Sequence, residues 1–348
     1  MTPPPLGGIA DPGEVALLAT KVAALRRSSA FPGRPRRVRA VETHMSWVFL
    51  AGDRAFKLKK PVVYPYLDFA SVESRRLDAR REVRLNRRLA PGVYLGVTPL
   101  VCDVRGRLRV RGEGEVVDWL VEMRRLPGEL ALDRKIRNGT LTEEQVRGLA
   151  QVLTVFYRHA PPLSVDPLRY LQRFSRDVRS ILAELEPVPE LPRELVVALG
   201  GSLLDFISGR GRRLLEARAR DQRIREGHGD LRPEHVFLLD PPVILDCLAT
   251  DRDLRSLDPA EELAFLSLEC DALGAPWVRP LLLGVYGEAT GDAPPPPLLS
   301  FYTGYRSFLR ARLAYWHVPE VEGEEIERWA ERARGYLELA AGALIGLG

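Results

Sequence analysis

Lysine is scarce in this 348-residue chain. Of its 51 Lys and Arg residues only five are lysine (Lys21, Lys57, Lys59, Lys60 and Lys135), and the remaining 46 are arginine. In a chain whose default cation is arginine, three lysines within four positions mark a place where a compact ammonium and a planar guanidinium are not interchangeable. Cysteine is scarce as well. Cys102, Cys247 and Cys270 are far apart with no C-x-x-C spacing, which speaks against a zinc site or a disulfide framework and for a reducing compartment. No run approaches the roughly 18 apolar residues of a membrane span, and the opening MTPPPLGGIADPGE has no positive region followed by an apolar one. A cytoplasmic protein with no membrane partner is expected.

What is present is charge of both signs: 28% of residues are charged, with a net charge of only +4. The arginines interleave with Glu and Asp at helical spacing, as in residues 73–88, which reads as a solvated helix face. Nucleic acid is therefore not an implied partner, whereas small phosphate-bearing molecules are compatible with the weakly positive field. With 45% hydrophobic residues, the chain is long enough for two or three domain-sized units.

Three regions follow from the patterning. Residues 1–37 form an N-terminal extension, a Pro/Gly leader and then helical spacing at 15–25 ended by a Pro/Arg segment. Residues 38–124 read as a small α+β lobe, beginning with two β-rich runs around Ala51-Gly52-Asp53, a hairpin turn. A charged helix at 71–90, capped by Ser71, comes next, and then strands at 94–102, 107–111 and 116–124. Residues 125–348 are dominated by helical patterns at 141–160, 166–186, 191–220, 258–274, 277–290, 296–315 and 322–344. One interruption at 226–250 carries two short β-branched runs around Pro241-Pro242.

That interruption holds the most informative string, His228-Gly229-Asp230-Leu231-Arg232-Pro233-Glu234-His235, with Asp246 sixteen residues after Asp230. Two carboxylates on loops at the ends of neighbouring short strands suit phosphoryl transfer, one accepting the acceptor hydroxyl's proton and one holding Mg²⁺ against the nucleotide phosphates. The string follows the catalytic-loop pattern H-x-D-L-[KR]-P-E-N, with His235 where asparagine is usual. Such a site also needs a strand lysine for the α/β-phosphates and a helix glutamate to orient it. In Ala55-Phe56-Lys57-Leu58-Lys59 the period-2 alternation puts both lysines on one face, and Glu82 in the next helix is the matching carboxylate. Counting from the hairpin favours Lys59 as the phosphate contact, and the A-x-K spacing favours Lys57. Arg232 is a candidate for neutralising transition-state charge. Residues 122–126, with Glu122 and Arg124, are the expected hinge that reads adenine through the backbone.

The segments ETHMSWVFLAGDRAFKLKKPV, LDF, LNRRLAPGVYLGV, MRRLP and HGDLRPEH together resemble the aminoglycoside phosphotransferase family enzymes, relatives of the choline kinases with a protein-kinase-like fold. The resemblance spans residues 38–270. It implies a bilobal α+β fold with a small β-rich N-lobe and a large helical C-lobe, ATP and Mg²⁺ as cofactors, and a small-molecule hydroxyl acceptor such as a sugar or amino sugar. Longer members of the group carry a C-terminal P-loop ATPase domain, whose G-x-x-x-x-G-K-[ST] string does not occur in this sequence. On this resemblance Asp230 is the base, Asp246 and His235 are metal ligands, and Lys57 or Lys59, Glu82, Glu122 and Arg124 serve the nucleotide.

Two departures motivate a competing expectation, a pseudokinase that binds nucleotide or acts as a scaffold without turnover. Imidazole at position 235 is a poorer Mg²⁺ ligand than an amide oxygen. The residues after Asp246 read Cys247-Leu248-Ala249-Thr250 where an acidic residue is common, leaving Asp251 or Asp253 as substitutes. Asp258 is expected to cap its helix and brace the catalytic loop. The aromatics Tyr302, Tyr305, Phe308, Tyr315 and Trp316 are expected to pack a core rather than cage an acceptor.

Overall fold

The computed structural model describes residues 12–64, 67–318 and 323–345. Most of the Pro/Gly leader, residues 1–11, and the first position of the helix expected at 322–344 lie outside the described residues. The chain forms two compact units: one runs to Leu130 and takes in Val243–Arg252, and the other holds Ala131–Pro242 and the chain from Asp253 onward. The sequence-based boundary at 124/125 is thus displaced by six residues. The segment after the Pro-Pro turn, expected with the helical region, belongs instead with the sheet.

The smaller unit begins with helix α1 (Pro12–Leu25) and strands β1 (Val38–Glu42), β2 (Ser46–Ala51) and β3 (Arg54–Lys59). A short pair, β4 (Val63–Tyr64) and β5 (Leu67–Asp68), leads into helix α2 (Val72–Asn86) and strands β6 (Tyr94–Cys102), β7 (Leu108–Val110) and β8 (Glu115–Arg124). Six of these strands make one antiparallel sheet in the order β1-β2-β3-β8-β6-β7. The first expected β run is in fact two strands. It breaks at Thr43, whose hydroxyl donates to Ser46 O at 2.9 Å and accepts from Ser46 N at 3.1 Å, an ST-type turn that competes with the ladder.

One face of the sheet is covered by the N-terminal stretch. Val22, Leu25, Ala30 and Phe31 pack with Phe49, Phe56, Leu58, Leu100 and Leu120 in a single core, so the expected extension is an integral layer of this unit. The opposite face receives α2. Its cap forms as expected, the Ser71 side chain accepting from Ser74 N at 3.0 Å, but the helix stops at Asn86, short of the expected 90.

The larger unit is built from α3 (Leu132–Arg137), α4 (Glu143–His159), α5 (Pro167–Leu185), α6 (Arg193–Ser208), α7 (Gly211–Arg220), α8 (Pro259–Ala272), α9 (Val278–Thr290), α10 (Pro296–Tyr315) and α11 (Glu324–Leu344). The helix expected over 191–220 is two helices. A side chain at Gly211 would overlap the Phe206 ring, so the chain turns at 209–210 and α7 restarts close against the end of α6. Phe174, Phe206, Phe301, Tyr302, Tyr305 and Phe308 interlock at the centre of this unit's core. The aromatic series of α10 is therefore packing, as expected. Strands β9 (Arg225–Glu226) and β12 (Ser256–Leu257) pair antiparallel in this unit, and the short strands β10 (Val236–Phe237) and β11 (Val243–Ile244) lie between them in sequence. Among the described residues no helix is long and apolar enough to cross a membrane.

Candidate active site

In the smaller unit, the chemistry gathers on the face of β3 that meets α2. Alternation along β3 sends Lys57 and Lys59 to the same side, and both reach Glu82. Lys57 Nζ lies 3.0 Å from Glu82 Oε1 and 2.7 Å from Asp246 Oδ1. Lys59 Nζ lies 2.5 Å from Glu82 Oε2 and 2.7 Å from Asp78 Oδ2, with the Phe69 ring 5.1 Å away. The two lysines differ in what surrounds them. Lys59 is enclosed between two carboxylates and an aromatic ring, whereas Lys57 bridges the helix carboxylate to Asp246, whose side chain is 49% exposed. The third lysine of the cluster, Lys60, pairs with Glu42 at 2.6 Å.

Burial by itself would raise the Glu82 carboxyl, but the Lys57 and Lys59 ammoniums outweigh it and hold Glu82 below the ordinary glutamate range. Burial disfavours the Lys57 ammonium, yet Asp246 and Glu82 more than offset this, and its pKa stands well above that of an ordinary lysine. The neighbouring Tyr94 hydroxyl is pushed well up, first by burial and then by Glu82 and Asp246, and so remains neutral. It accepts the Asp246 backbone N–H at 3.2 Å.

Asp246 itself adopts φ +60°, a left-handed conformation that Asp tolerates better than most side chains. The segment around it is pinned from three sides. Ile244 N donates to Leu89 O at 3.1 Å, Asp246 N to Tyr94 Oη, and Cys247 N to Asn86 Oδ1 at 2.9 Å. Cys247 and Ala249 also pack on Leu85 of α2. One Asp246 carboxylate oxygen meets Lys57 and about half of the side chain is exposed, and a carboxylate is the hard oxygen donor that divalent cations prefer.

The expected adenine-reading hinge, residues 122–126, begins within strand β8. Glu122 is buried within the sheet and paired with Arg111, and its backbone sits in a strand paired on both sides. Arg124 N already donates to Val93 O and Arg125 N to Asp53 O, each at 2.9 Å, so neither amide is available to a base.

In the larger unit, the HGD loop is held by a residue that the sequence reading did not single out. Glu262 in α8 accepts His228 N at 2.9 and 3.0 Å and Gly229 N at 2.5 Å, and it also accepts the Tyr157 hydroxyl at 2.8 Å. A Cβ at Gly227 would come within 2.6 Å of the same carboxylate, so glycine there admits the brace. Asp258 caps α8 through Ala260 N, as expected, and its other partners are Arg218 at 2.6 and 2.7 Å and Tyr302 Oη at 2.9 Å rather than the loop. The only available signal for Glu262 was its place one turn into the helix that follows Asp258-Pro259.

Asp230 is partly buried, and burial would raise its carboxyl. Arg232 foremost, then His235, overcome this and hold it below the usual aspartate range, so it is ionised near neutrality. Arg232 Nε lies 3.1 Å from Asp230 Oδ2 and Nη1 lies 2.8 Å from Glu234 Oε1. His235, expected as a metal ligand, lies with Nδ1 2.9 Å from Asp230 O and Nε2 3.1 Å from Arg232 Nη2, both partners within the loop itself. Among the described residues no group of three or more His, Cys, Asp or Glu side chains is arranged to hold a metal ion by itself.

No protein-family model matches the chain. Uncharacterised proteins of Mycobacterium tuberculosis and Mycobacterium bovis are each 34% identical to it over 276 residues, 78% of this chain and 53% of the relative. The chain spans about half the length of the curated relatives it matches. Among solved structures, a choline/ethanolamine kinase family protein from Mesorhizobium loti is similar with a TM-score of 0.51 at 14% identity, over 93% of this chain and 98% of that one. The fold is protein-kinase-like. An aminoglycoside phosphotransferase from Alicyclobacillus acidocaldarius is also similar, at a TM-score of 0.49 and 14% identity over 92% of this chain and 94% of that one. The α+β architecture expected from the patterning and the resemblance is present, with the β-rich lobe of the kinase-like fold in the smaller unit and the helical lobe in the larger.

Proposed function

We propose that this chain is an ATP-dependent phosphotransferase that moves the γ-phosphoryl group of ATP to a hydroxyl of a small acceptor, a sugar or amino sugar. The observation that carries the reading is Lys57, bonded to Glu82 at 3.0 Å and to Asp246 at 2.7 Å. A strand lysine oriented by a helix carboxylate and set beside a half-exposed aspartate is the equipment that nucleotide phosphates require. In this reading Lys57 holds the α/β-phosphates and Glu82 fixes its position. Lys59 has two buried carboxylates for partners and serves as structural support.

Asp246 is the residue that would hold Mg²⁺, a hard cation that keeps phosphate oxygens and waters for its remaining ligands. When bound, the ion neutralises charge on the transferring group. Asp230 orients the acceptor hydroxyl and takes its proton. Its lowered pKa makes it a weak base, which suits a loose transition state in which the proton leaves late. An acceptor panel read by a mass gain of one phosphate tests the proposal. Wild type should phosphorylate at least one hydroxyl compound, and Asp230→Asn should lower that rate by about 10²-fold or more. An Asp230→Asn rate equal to wild type would remove Asp230 from the chemistry.

One observation favours a second reading, a nucleotide-binding protein without turnover: the Asp230 carboxylate is already engaged by Arg232. Nucleotide-dependent thermal stabilisation with no product on any acceptor supports that reading.

A further inference from the structure

Position 235 is where a protein kinase places the asparagine that binds a second cation. Here the ring nitrogens of His235 have partners that dictate their roles. Asp230 O can only accept, so Nδ1, 2.9 Å away, carries the proton. Nε2 is then the lone-pair nitrogen, and at 3.1 Å it meets Arg232 Nη2, which can only donate. A neutral imidazole has one in-plane lone pair, and it is spent on a guanidinium. Through its other nitrogens the same guanidinium reaches Asp230 Oδ2 at 3.1 Å and Glu234 Oε1 at 2.8 Å. The ring is thereby closed: His235 grips the Asp230 carbonyl on one side and aims Arg232 at the Asp230 carboxylate on the other. A cation taking the Nε2 lone pair would have to expel Arg232 and sit against its positive charge.

We infer that His235 is a positioning residue that clamps Arg232, and that this guanidinium supplies beside Asp230 the positive charge a second cation would otherwise bring, so the chain works with a single divalent cation. The cation count rests on the phosphotransferase reading; the clamp does not.

Two measurements on the wild-type chain test the inference. In nucleotide-free protein labelled with ¹⁵N-histidine, long-range ¹H–¹⁵N spectra should show His235 protonated at Nδ1, with an unprotonated Nε2 whose resonance moves in Arg232→Ala. Protonation at Nε2 overturns the clamp. In the second, electron paramagnetic resonance counts the Mn²⁺ bound with a non-hydrolysable ATP analogue. One Mn²⁺ per chain, with the His235 tautomer unchanged in spectra of the diamagnetic Mg²⁺ complex, is the expected result. Two ions per chain, with the His235 tautomer altered in the Mg²⁺ complex, overturn the single-cation assignment. Zero ions, with the Nδ1–H tautomer intact, overturn the cation count together with the phosphotransferase reading, and so separate that failure from a failure of the clamp.

Discussion

Asn86 joins two parts of the candidate site: its Oδ1 accepts Cys247 N at 2.9 Å, and its Nδ2 donates to Glu82 O, one turn earlier in α2, also at 2.9 Å. The helix that carries Glu82 therefore also holds the residue following Asp246. Asn86 is fully buried, so its removal leaves an unpaired amide N–H. Asn86→Ala should cost about 1–3 kcal/mol of stability. If the site works as proposed, it should also lower kcat more than it raises KM for ATP, because the position of Asp246 is loosened while Lys57 is untouched. Denaturant unfolding and steady-state kinetics check the two effects, and an unchanged kcat would show that the tie is structural only.

Lys57 and Lys59 should separate cleanly by mutation. Lys57→Met is expected to reduce kcat/KM by about 10²-fold or more through lost phosphate contacts. Lys59→Met leaves Asp78 without its ammonium in a buried setting and is expected to destabilise the fold by about 3–5 kcal/mol. Isothermal titration with nucleotide, alongside thermal melts, distinguishes them. The reverse pattern would transfer the phosphate role to Lys59.

The loop brace makes a third case. Glu262→Gln keeps one acceptor oxygen for His228 N and Gly229 N, whereas Glu262→Ala removes both. Glu262→Ala should cost about 2–4 kcal/mol, from two unpaired backbone donors and the orphaned Tyr157 hydroxyl. Hydrogen exchange at 228–230 should accelerate well before global unfolding. Exchange that tracks global stability alone would count against a local role.

Stability should depend on pH at both ends. The folded pKa of Glu82 is depressed, so its contribution is complete above the unfolded value of about 4.3 and is lost as pH falls through the folded value. The folded pKa of Lys57 is raised, so its contribution is complete below about 10.4 and is lost as pH rises through the folded value. Between about pH 6 and pH 3 the wild type should therefore lose more stability than Glu82→Gln. Parallel acid-unfolding curves for the two proteins would contradict the assignment.

The N-terminal helix offers a final test. Lys21 and Arg75 share Asp118, at 2.7 Å for Lys21 Nζ and 2.9 Å for Arg75 Nη2, and all three are almost fully buried. Asp118→Asn strands two buried cations and should cost about 3–5 kcal/mol, measured by guanidinium unfolding.

Much of this molecule was legible in the sequence because it rests on local rules. Period-2 alternation put Lys57 and Lys59 on one face, Ser71 and Asp258 announced their helices, and the HGDLRPEH string with a second aspartate sixteen residues on pointed to a kinase-like fold. Less legible was the polar stripe of α2, where Arg75, Asp78, Glu82 and Asn86 recur at helical spacing and are all buried. In sequence these residues look like any charged helix face. Their burial depends on Asp118, the two lysines and Cys247 N arriving from distant segments.

The boundary between the two kinds of knowledge runs through single side chains. The sequence by itself determined which residue types stand on which strand and loop, and hence that lysine, not arginine, faces Glu82. Only the tertiary structure decided that Lys57 rather than Lys59 meets Asp246, that Glu262 rather than Asp258 braces the loop, and that both nitrogens of His235 are spent within it. The physical reason is that a hydrogen bond or ion pair forms only within about 3 Å and in a narrow range of angles. Residues that are equivalent in pattern are separated by where the rest of the chain places their partners.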